Sequence, residues 1–229
     1  AEINIGQFYL REIEIKEWRG VVKVEGSRVL LNPFQMTLNN APIKINADLN
    51  LGVKGYTYDF SASLDKVPLE PLANSFMPDK KGAYQGTIIA DAKIKGAGTT
   101  GVNLKKSLNG NADFTFTNAN IQIVGKRLSP FLTTIATVLQ IQELTESPVK
   151  WVTANLKFGE GNIDFQNFKM QSDAFTADTK GIIPIADVLT NSPIRKFPIN
   201  FGLSYALSQK AHLTSSSTPT NSAYVMLPA

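Results

Sequence analysis

The side chains best suited to catalysis are scarce and widely separated in this chain. His212 is the single histidine among 229 residues, and there is no cysteine. Histidine-based triads, multi-histidine metal sites, thiol nucleophiles and disulfides are therefore excluded. Because His212 stands just before a run of serine and threonine, we expect an exposed or capping histidine there.

The carboxylates show no pairing that would support acid–base chemistry. Two catalytic carboxylates must lie close together in environments that separate their pKa values. The aspartates instead fall singly on the polar positions of alternating segments or beside turns, at Asp48, Asp59, Asp65, Asp113, Asp164 and Asp178. We expect them to be solvated, and we expect the chain not to be an enzyme.

Cofactor and metal motifs are missing as well. The glycines at 96, 98 and 101 are not followed by the Gly-Lys-Ser/Thr of a phosphate-binding loop. The asparagine-rich stretch 109–120 lacks the alternating acids of a dedicated calcium loop. The sequence therefore predicts no cofactor and no metal.

Charge and composition narrow the remaining functions. Charged residues make up 18% of the chain, below the roughly 25% of an average soluble domain, and the formal net charge is +4. Lysines and arginines are scattered rather than gathered into a basic stripe with interleaved aromatics, so nucleic acid is not an expected partner. The positive charge fits a solvated face or contact with anionic lipid headgroups.

Apolar and polar residues alternate with a period of two over most of the chain, which is typical of strands with one apolar face. Tyr56, Tyr58 and Phe60 alternate with polar residues, as do Phe114 and Phe116. Runs of about ten residues predict strands of roughly 33 Å. Turn residues predict antiparallel hairpins at Glu25–Ser27, Asn39–Asn40, Lys54–Gly55, Asn109–Asn111 and Glu160–Asn162.

Two helical segments interrupt the strands. Prolines within 67–76 are compatible with the start of a short helix. The main helix is predicted at about 129–144, with Ser129 as N-cap and Pro130 at the first helical position. It carries no charge before Glu143, so it should be buried on several sides or rest on an apolar surface.

These elements predict a mainly β fold with long antiparallel strands in a curved sheet, either groove-like or sandwiched, with one main helix and one or two short helices. We expect a single domain over residues 1–213, with two sub-sheets meeting near 80–100 as the alternative. Residues 214–229 begin with a polar, low-complexity run and should form a linker or frayed tail. The apolar face needs a cover, which a filled core, a second chain or lipid acyl chains would supply.

The order of several segments resembles AsmA-like C-terminal domains. Residues 104–114 resemble the short helix of that family and its strand with an "LxG" motif, and residues 67–72 resemble an earlier short helix. The segments within 29–64 resemble the preceding hairpins, and residues 175–182 resemble the closing strand. The resemblance spans roughly residues 3–213 and depends on pattern and order.

This resemblance implies a periplasmic protein tethered to the inner membrane and involved in outer-membrane lipid homeostasis. The chain has no stretch of about 20 apolar residues and no signal-peptide pattern at its start, so we expect the tether in a segment outside it. The leading hypothesis is a non-enzymatic module that binds or guides acyl chains of a phospholipid or other envelope lipid along an apolar sheet face. The alternative is a structural or assembly scaffold with a filled core, which has other envelope proteins as partners.

Two sets of residues are candidates for lipid contact. The expected groove residues come from the main helix and from three strands: Phe131, Ile135, Val138, Leu139, Phe60, Phe116 and Phe165. The expected headgroup contacts are the basic residues Lys105, Lys106, Lys126 and Arg127. An acidic substitution at Ile135 should abolish lipid uptake without unfolding if this residue lines a groove, and should unfold the domain if it belongs to a core.

Overall fold

The computed structural model describes residues 1–82, 84–98, 101–121, 129–190 and 198–228. Twelve strands form one open, curved sheet in these ranges, and the strands follow one another across the sheet in chain order. The strands are β1 Glu2–Leu10, β2 Ile13–Glu25, β3 Arg28–Leu38, β4 Ala41–Asn50, β5 Thr57–Pro68, β6 Tyr84–Ala97, β7 Asn109–Ile121, β8 Val149–Gly159, β9 Asn162–Ser172, β10 Phe175–Pro184, β11 Ile199–Ser204 and β12 Tyr224–Met226.

Short helices lie in the connections between strands. They are α1 Leu69–Phe76, α2 Gly101–Ser107, α3 Ser129–Leu139, α4 Glu143–Glu146, α5 Ile185–Leu189 and α6 Tyr205–Lys210, with a 3-10 turn at Pro78–Lys80. The predicted mainly β fold is confirmed, and the helices of the described ranges are more numerous than expected. Strand β6 pairs with both β5 and β7, so the sheet is not divided near residues 80–100.

The meander gives the sheet two distinct ends. We name as the capped end the strand ends that are joined by the turns at 11–12 and 39–40 and by the connections bearing α1, α3, α4 and α6. The distal end carries the turns at 26–27 and 160–161, the β4–β5 loop, α2 and α5. The capped end therefore carries more of the described helices than the distal end does.

One predicted hairpin turn, Asn109–Asn111, is instead the beginning of β7. Gly110 has a φ of +139°, and a Cβ atom there would lie 1.9 Å from the Lys93 carbonyl oxygen of β6. This residue is therefore a glycine because the two strand backbones approach closely, and not because the chain reverses.

The main helix is interrupted where the sequence predicted continuity. α3 ends at Leu139, and Gln140 adopts a positive φ of 56°. The backbone N–H of Ile141 then donates to the Ala136 carbonyl at 2.8 Å, in the manner of a helix C-terminus, and Ile141 becomes fully buried at 0% exposure. The β7–β8 connection therefore contains two helices, α3 and α4, where one helix was expected.

The segment predicted as a frayed tail contains the last strand of the sheet. β12 pairs with β11, placing Val225 opposite Leu203, and the Leu227 N–H donates to the Phe201 carbonyl at 2.8 Å. The Tyr224 hydroxyl donates to the Ser172 carbonyl at 2.8 Å. The polar run that suggested a frayed tail is therefore followed by a short apolar segment, Tyr224–Met226, which joins the sheet as β12.

Candidate functional site

The strand register aligns apolar residues into rows on one face of the sheet, here called the apolar face. Ala62 of β5 lies opposite Ala92 of β6, which lies opposite Ala112 of β7. The row continues through Leu156 of β8 to Phe165 of β9. The next row toward the distal end contains Phe60, Ile94, Gly110, Phe158 and Ile163.

The opposite face is polar, and hydrogen bonds from amide and hydroxyl side chains join its strands. Asn155 Nδ2 donates to Asp113 Oδ1 at 2.7 Å, and Asn167 Nδ2 donates to Asn155 Oδ1 at 3.2 Å. The hydroxyl groups of Thr115 and Thr153 lie 3.1 Å apart on the same face. These cross-strand pairs explain the low content of charged residues, because amides and hydroxyls replace ion pairs on the wet face.

Helices cover the apolar face at the capped end, where two closed clusters form. The α1 cluster contains Ile13, Ile15, Leu38, Ala41, Ile43 and Val67, with Leu72 of α1 packed against it. The α3 cluster contains Leu132, Ala136, Ile141, Leu144, Val149, Val152, Met170, Ala174, Phe175, Ala177, Phe201 and Leu203. Residues of both clusters are less than a tenth exposed, so this part of the face is an ordinary filled core.

Between these clusters and the distal end, the apolar face is only partly covered. We name this part the open section, and it consists of Phe60, Ala62, Ala92, Ile94, Ala112, Leu156, Phe158 and Phe165. Neither cluster includes these residues, and each is partly exposed. The section crosses five strands, so at about 4.8 Å per strand spacing it is roughly 19 Å wide.

A tyrosine marks the distal limit of the open section. Tyr58 lies opposite Gly96 of β6, and a Cβ atom on Gly96 would lie 2.6 Å from the Tyr58 hydroxyl oxygen. The ring therefore rests on the bare glycine backbone, and its partial burial raises the pKa of the phenol. The hydroxyl remains protonated at neutral pH and gives this edge of the apolar face a neutral polar group.

The three strand residues predicted to line a groove lie on the apolar face. Phe60 and Phe165 belong to the open section, and Phe165 makes an edge-to-face contact with Phe168 at 6.4 Å between ring centroids. Phe116 lies closer to the capped end and packs against the α3 cluster. The structure thus places two of the three in the open section, on its two outermost strands.

The predicted helix residues do not form one lining surface. Ile135 and Leu139 are partly buried and pack against the α3 cluster. Val138 is 74% exposed and does not belong to that cluster, so its role in a groove stays a prediction. The side chain of Phe131 lies outside what the structure describes.

The two predicted headgroup residues that the structure describes do not lie beside the main helix. Lys105 and Lys106 lie on α2 at the distal end, whereas α3 lies at the capped end. Lys126 and Arg127 lie outside the described residues. The two described lysines and the helix residues are therefore separated by the length of the strands.

Small side chains in the open section were missed by sequence reasoning. Ala62, Ala92 and Ala112 occupy one row on three neighbouring strands. Each stands at an apolar position of the period-two pattern, but the pattern was recognised from its larger residues, phenylalanine and isoleucine. Register is needed to reveal that the three align and leave space between larger neighbours.

The ion pairs of the described ranges lie on the surface. The Arg28 guanidinium donates to Asp48 Oδ1 at 2.8 Å and lowers the pKa of that carboxyl. The Lys210 ammonium donates to Glu143 Oε1 at 2.6 Å and likewise lowers its pKa. His212 is exposed just after α6, and the residues described contain no group of three or more side chains suited to a metal ion.

None of the helices in the described ranges is both long and apolar enough to cross a membrane.

Comparison with known proteins agrees with the resemblance seen in the sequence. The sequence model of the AsmA family matches residues 1–168, which extend from β1 into β9. No curated protein and no solved structure matches the chain significantly. The AsmA family is associated with envelope proteins, and membership suggests an envelope- or lipid-related role. Because the match covers well over half of the chain, the protein belongs to the AsmA family.

Proposed function

We propose that this protein is a non-enzymatic envelope module that binds or guides lipid acyl chains along its apolar sheet face and so supports outer-membrane lipid homeostasis. The observation that carries this proposal is the open section, an apolar surface that adjoins two closed cores and whose residues stay partly exposed among the described residues. Contiguous exposed apolar surfaces of this kind mark places where an apolar partner binds.

The open section is apolar, which suits the methylene groups of an acyl chain. Each methylene group that leaves water gains about 0.8 kcal/mol, and the open section offers aliphatic and aromatic side chains without a charged group in its rows. The row of Ala62, Ala92 and Ala112 lies beside the row that contains Phe60 and Phe158 and is lower than it, and a flexible chain of methylenes can follow such a depression. Phospholipid is the partner class that supplies such chains in an envelope.

The same proposal includes the cellular setting. We place the domain in the periplasm, held to the inner membrane by a segment outside this chain, where other envelope proteins are available as partners. Family membership supports an envelope role for the chain.

A pair of adjacent residues gives the test its control. Ala92 and Lys93 are neighbours in β6, with Ala92 on the apolar face and Lys93 on the polar face opposite Asn111. Ala92→Asp introduces a carboxylate where acyl chains would lie, whereas Lys93→Asp introduces the same group on the wet face. Native mass spectrometry of each purified variant after incubation with phospholipid measures the bound lipid.

We expect the parent chain and Lys93→Asp to carry phospholipid, and Ala92→Asp to lose it while keeping the parent circular dichroism spectrum. Folded parent chain that takes up no phospholipid would overturn the proposal. Equal lipid binding by all three proteins would show that lipid lies elsewhere.

A second candidate is an assembly scaffold with a filled core. It is favoured by the closed clusters at the capped end and by β1, which stands first in the sheet order and so has one edge without a strand partner among the described residues. An unpaired edge of nine residues can add a strand from another protein. This role predicts a lipid-free chain that forms complexes through β1, which size-exclusion chromatography with light scattering would detect.

A further inference from the structure

The distal end presents apolar side chains in an ordered loop. In the β4–β5 loop, Leu51 is 48% exposed, Val53 is 40% exposed and Tyr56 is 52% exposed. Backbone hydrogen bonds fix this loop: Leu51 N–H donates to Ser27 at 2.8 Å, and Tyr56 N–H donates to the Val53 carbonyl at 3.0 Å. The Tyr56 carbonyl accepts from the Gly98 N–H at 3.1 Å. The apolar side chains are therefore held outward by a folded loop.

Helix α2 adjoins this loop and adds positive charge. A Cβ atom on Gly55 of the loop would lie 3.5 Å from Asn103 Nδ2 of α2. The loop contributes Lys54 and the last turn of α2 contributes Lys105 and Lys106, and none of these lysines has a salt bridge within the described part of the chain. The loop (51–56) and α2 contain no aspartate or glutamate.

The surroundings keep this surface basic relative to the capped end. The adjoining β8–β9 turn and α5 contribute one acid each, Glu160 and Asp187. At the capped end, acids are more frequent in the connections, at Glu12, Glu70, Asp79, Glu143, Glu146 and Asp173. Lys81 and Lys210, which lie among them, are paired with Glu12 and Glu143. The distal end thus combines exposed apolar groups with three lysines that have no salt bridge within the described part of the chain, whereas at the capped end the Arg11 guanidinium donates to the Ser75 carbonyl.

We propose that the β4–β5 loop and α2 form a docking surface for an anionic phospholipid bilayer. The negative surface potential of such a bilayer attracts the lysines, and Leu51, Val53 and Tyr56 enter its interfacial region. This inference rests on the proposed function, because docking here brings the distal limit of the open section, at Tyr58, against the source or destination of the lipid. The β4–β5 loop leads directly into the strand that carries Tyr58 and Phe60.

Charge neutralisation tests the electrostatic part. The variant Lys54→Gln/Lys105→Gln/Lys106→Gln removes three positive charges from the docking surface. Its matched control is Lys44→Gln/Lys93→Gln/Lys169→Gln, which removes three exposed lysines from the polar face. Binding is measured by co-sedimentation with vesicles of phosphatidylglycerol and phosphatidylcholine, and with vesicles of phosphatidylcholine alone.

We expect the parent chain to bind the anionic vesicles preferentially and to lose affinity as salt is raised. The docking variant should bind roughly a hundredfold more weakly, since each lysine near the surface contributes about a factor of five. The polar-face control should bind nearly as the parent does. Equal loss in both variants would mean that net charge alone acts, and unchanged binding by the docking variant would overturn the proposal.

Insertion of the loop is tested separately by a fluorescent probe. The chain has no cysteine, so Val53→Cys and Lys93→Cys each give one site for an environment-sensitive label. We expect a blue shift on addition of anionic vesicles for the label at Val53→Cys and none at Lys93→Cys. No shift at either position would overturn insertion.

Uptake of a monomeric short-chain phosphatidylglycerol, measured without vesicles, keeps the two proposals apart. The docking variant should retain this uptake while losing vesicle binding. If the parent chain takes up no lipid in this assay, the acyl-chain function is contradicted, and the vesicle experiment still decides whether the docking surface binds a bilayer.

Discussion

The capped end and the open section belong to the same strands yet differ in what covers them. Along β7, Phe116 and Phe114 pack against the α3 cluster, whereas Ala112, two residues farther along the same face, is part of the open section. The alternation of apolar and polar residues is the same in both parts. The pattern therefore determines which face is apolar, and the connections determine whether that face is filled.

The connections differ because of the meander. At the capped end the segments 69–83 and 122–148 are long, and the first contains α1 while the second contains α3 and α4. At the distal end, the turns at 26–27 and 160–161 are too short to fold back over the sheet, and the helices in the longer connections, α2 and α5, are shorter than α1 and α3. A sheet built this way has a closed core on one side and an accessible apolar surface beyond it.

The largest difference between the two regions is expected from phenylalanine truncation. Phe175 is 1% exposed and stacks on Phe201 at 5.4 Å between ring centroids. Phe175→Ala should lower the free energy of unfolding by about 3–5 kcal/mol, because it leaves a cavity in a packed cluster. Phe60→Ala, in the open section, should lower it less, by about 1–2 kcal/mol in lipid-free protein, because that side chain is only partly buried. Urea denaturation of the two variants measures both values, and equal losses would mean that the open section is a filled core.

An acidic substitution on α3 distinguishes its two sides. Ile135 packs against the α3 cluster, whereas Val138 is 74% exposed. Ile135→Asp should destabilise the fold by about 3 kcal/mol, since it places a carboxylate against apolar side chains. Val138→Asp should change stability by less than about 0.5 kcal/mol. Thermal denaturation gives the melting temperature of each variant. Equal melting temperatures for Ile135→Asp and Val138→Asp would contradict the prediction.

The attachment of α1 to the sheet is expected to contribute less. Ser75 of α1 is 1% exposed, and its hydroxyl accepts a hydrogen bond from the Glu12 backbone N–H at 3.2 Å. Ser75→Ala should cost about 1–2 kcal/mol, because the amide loses its partner in a part-buried position. Ser61→Ala, which removes an exposed bond from Asn46 Nδ2, is the matched control with a cost below about 0.5 kcal/mol. Chemical denaturation that ranks the two variants in the reverse order would contradict the account of α1 as an anchored cover.

The smallest effect is a pH dependence at the same cover. Hydrogen bonds from Lys81 and then Asn74 lower the pKa of Glu12 below its ordinary value of 4.5. The carboxylate therefore stabilises the folded state above that value, and its contribution disappears as the pH falls through the lowered pKa. The melting temperature of the parent chain should exceed that of Glu12→Gln slightly near neutral pH, and the difference should vanish in strong acid. A difference that grows on acidification would contradict this sign.

Much of the fold followed from local pattern, because a period of two and turn residues act over a few positions. The alternation at Tyr58 and Phe60 and the turns at Asn39 and Glu160 agree with the observed strands, whereas Tyr56, which was expected to continue the alternation, lies in the β4–β5 loop with a φ of 52°. Gly110 was misread since the same residue serves a reversal or a close strand contact, and only the partner strand distinguishes them. The break at Gln140 similarly depends on the cluster into which Ile141 is drawn.

The candidate site was less predictable than the fold. Phe60 and Phe165 were found because aromatic residues at alternating positions must face an apolar side. The exposure of Val138 could not be predicted, because a helix that is apolar all round does not reveal which side meets the sheet. The alanine row could not be found without register, which depends on the pairing of distant segments.

The most direct test of the open section is site-specific photo-crosslinking in bacteria. A benzophenone amino acid at Ala112 would face the apolar side of β7, and the same amino acid at Asn111 would face the polar side. Mass spectrometry of the irradiated protein then detects covalent lipid adducts. The account predicts phospholipid adducts at Ala112 and none at Asn111. Adducts at neither position, or equally at both, would contradict it.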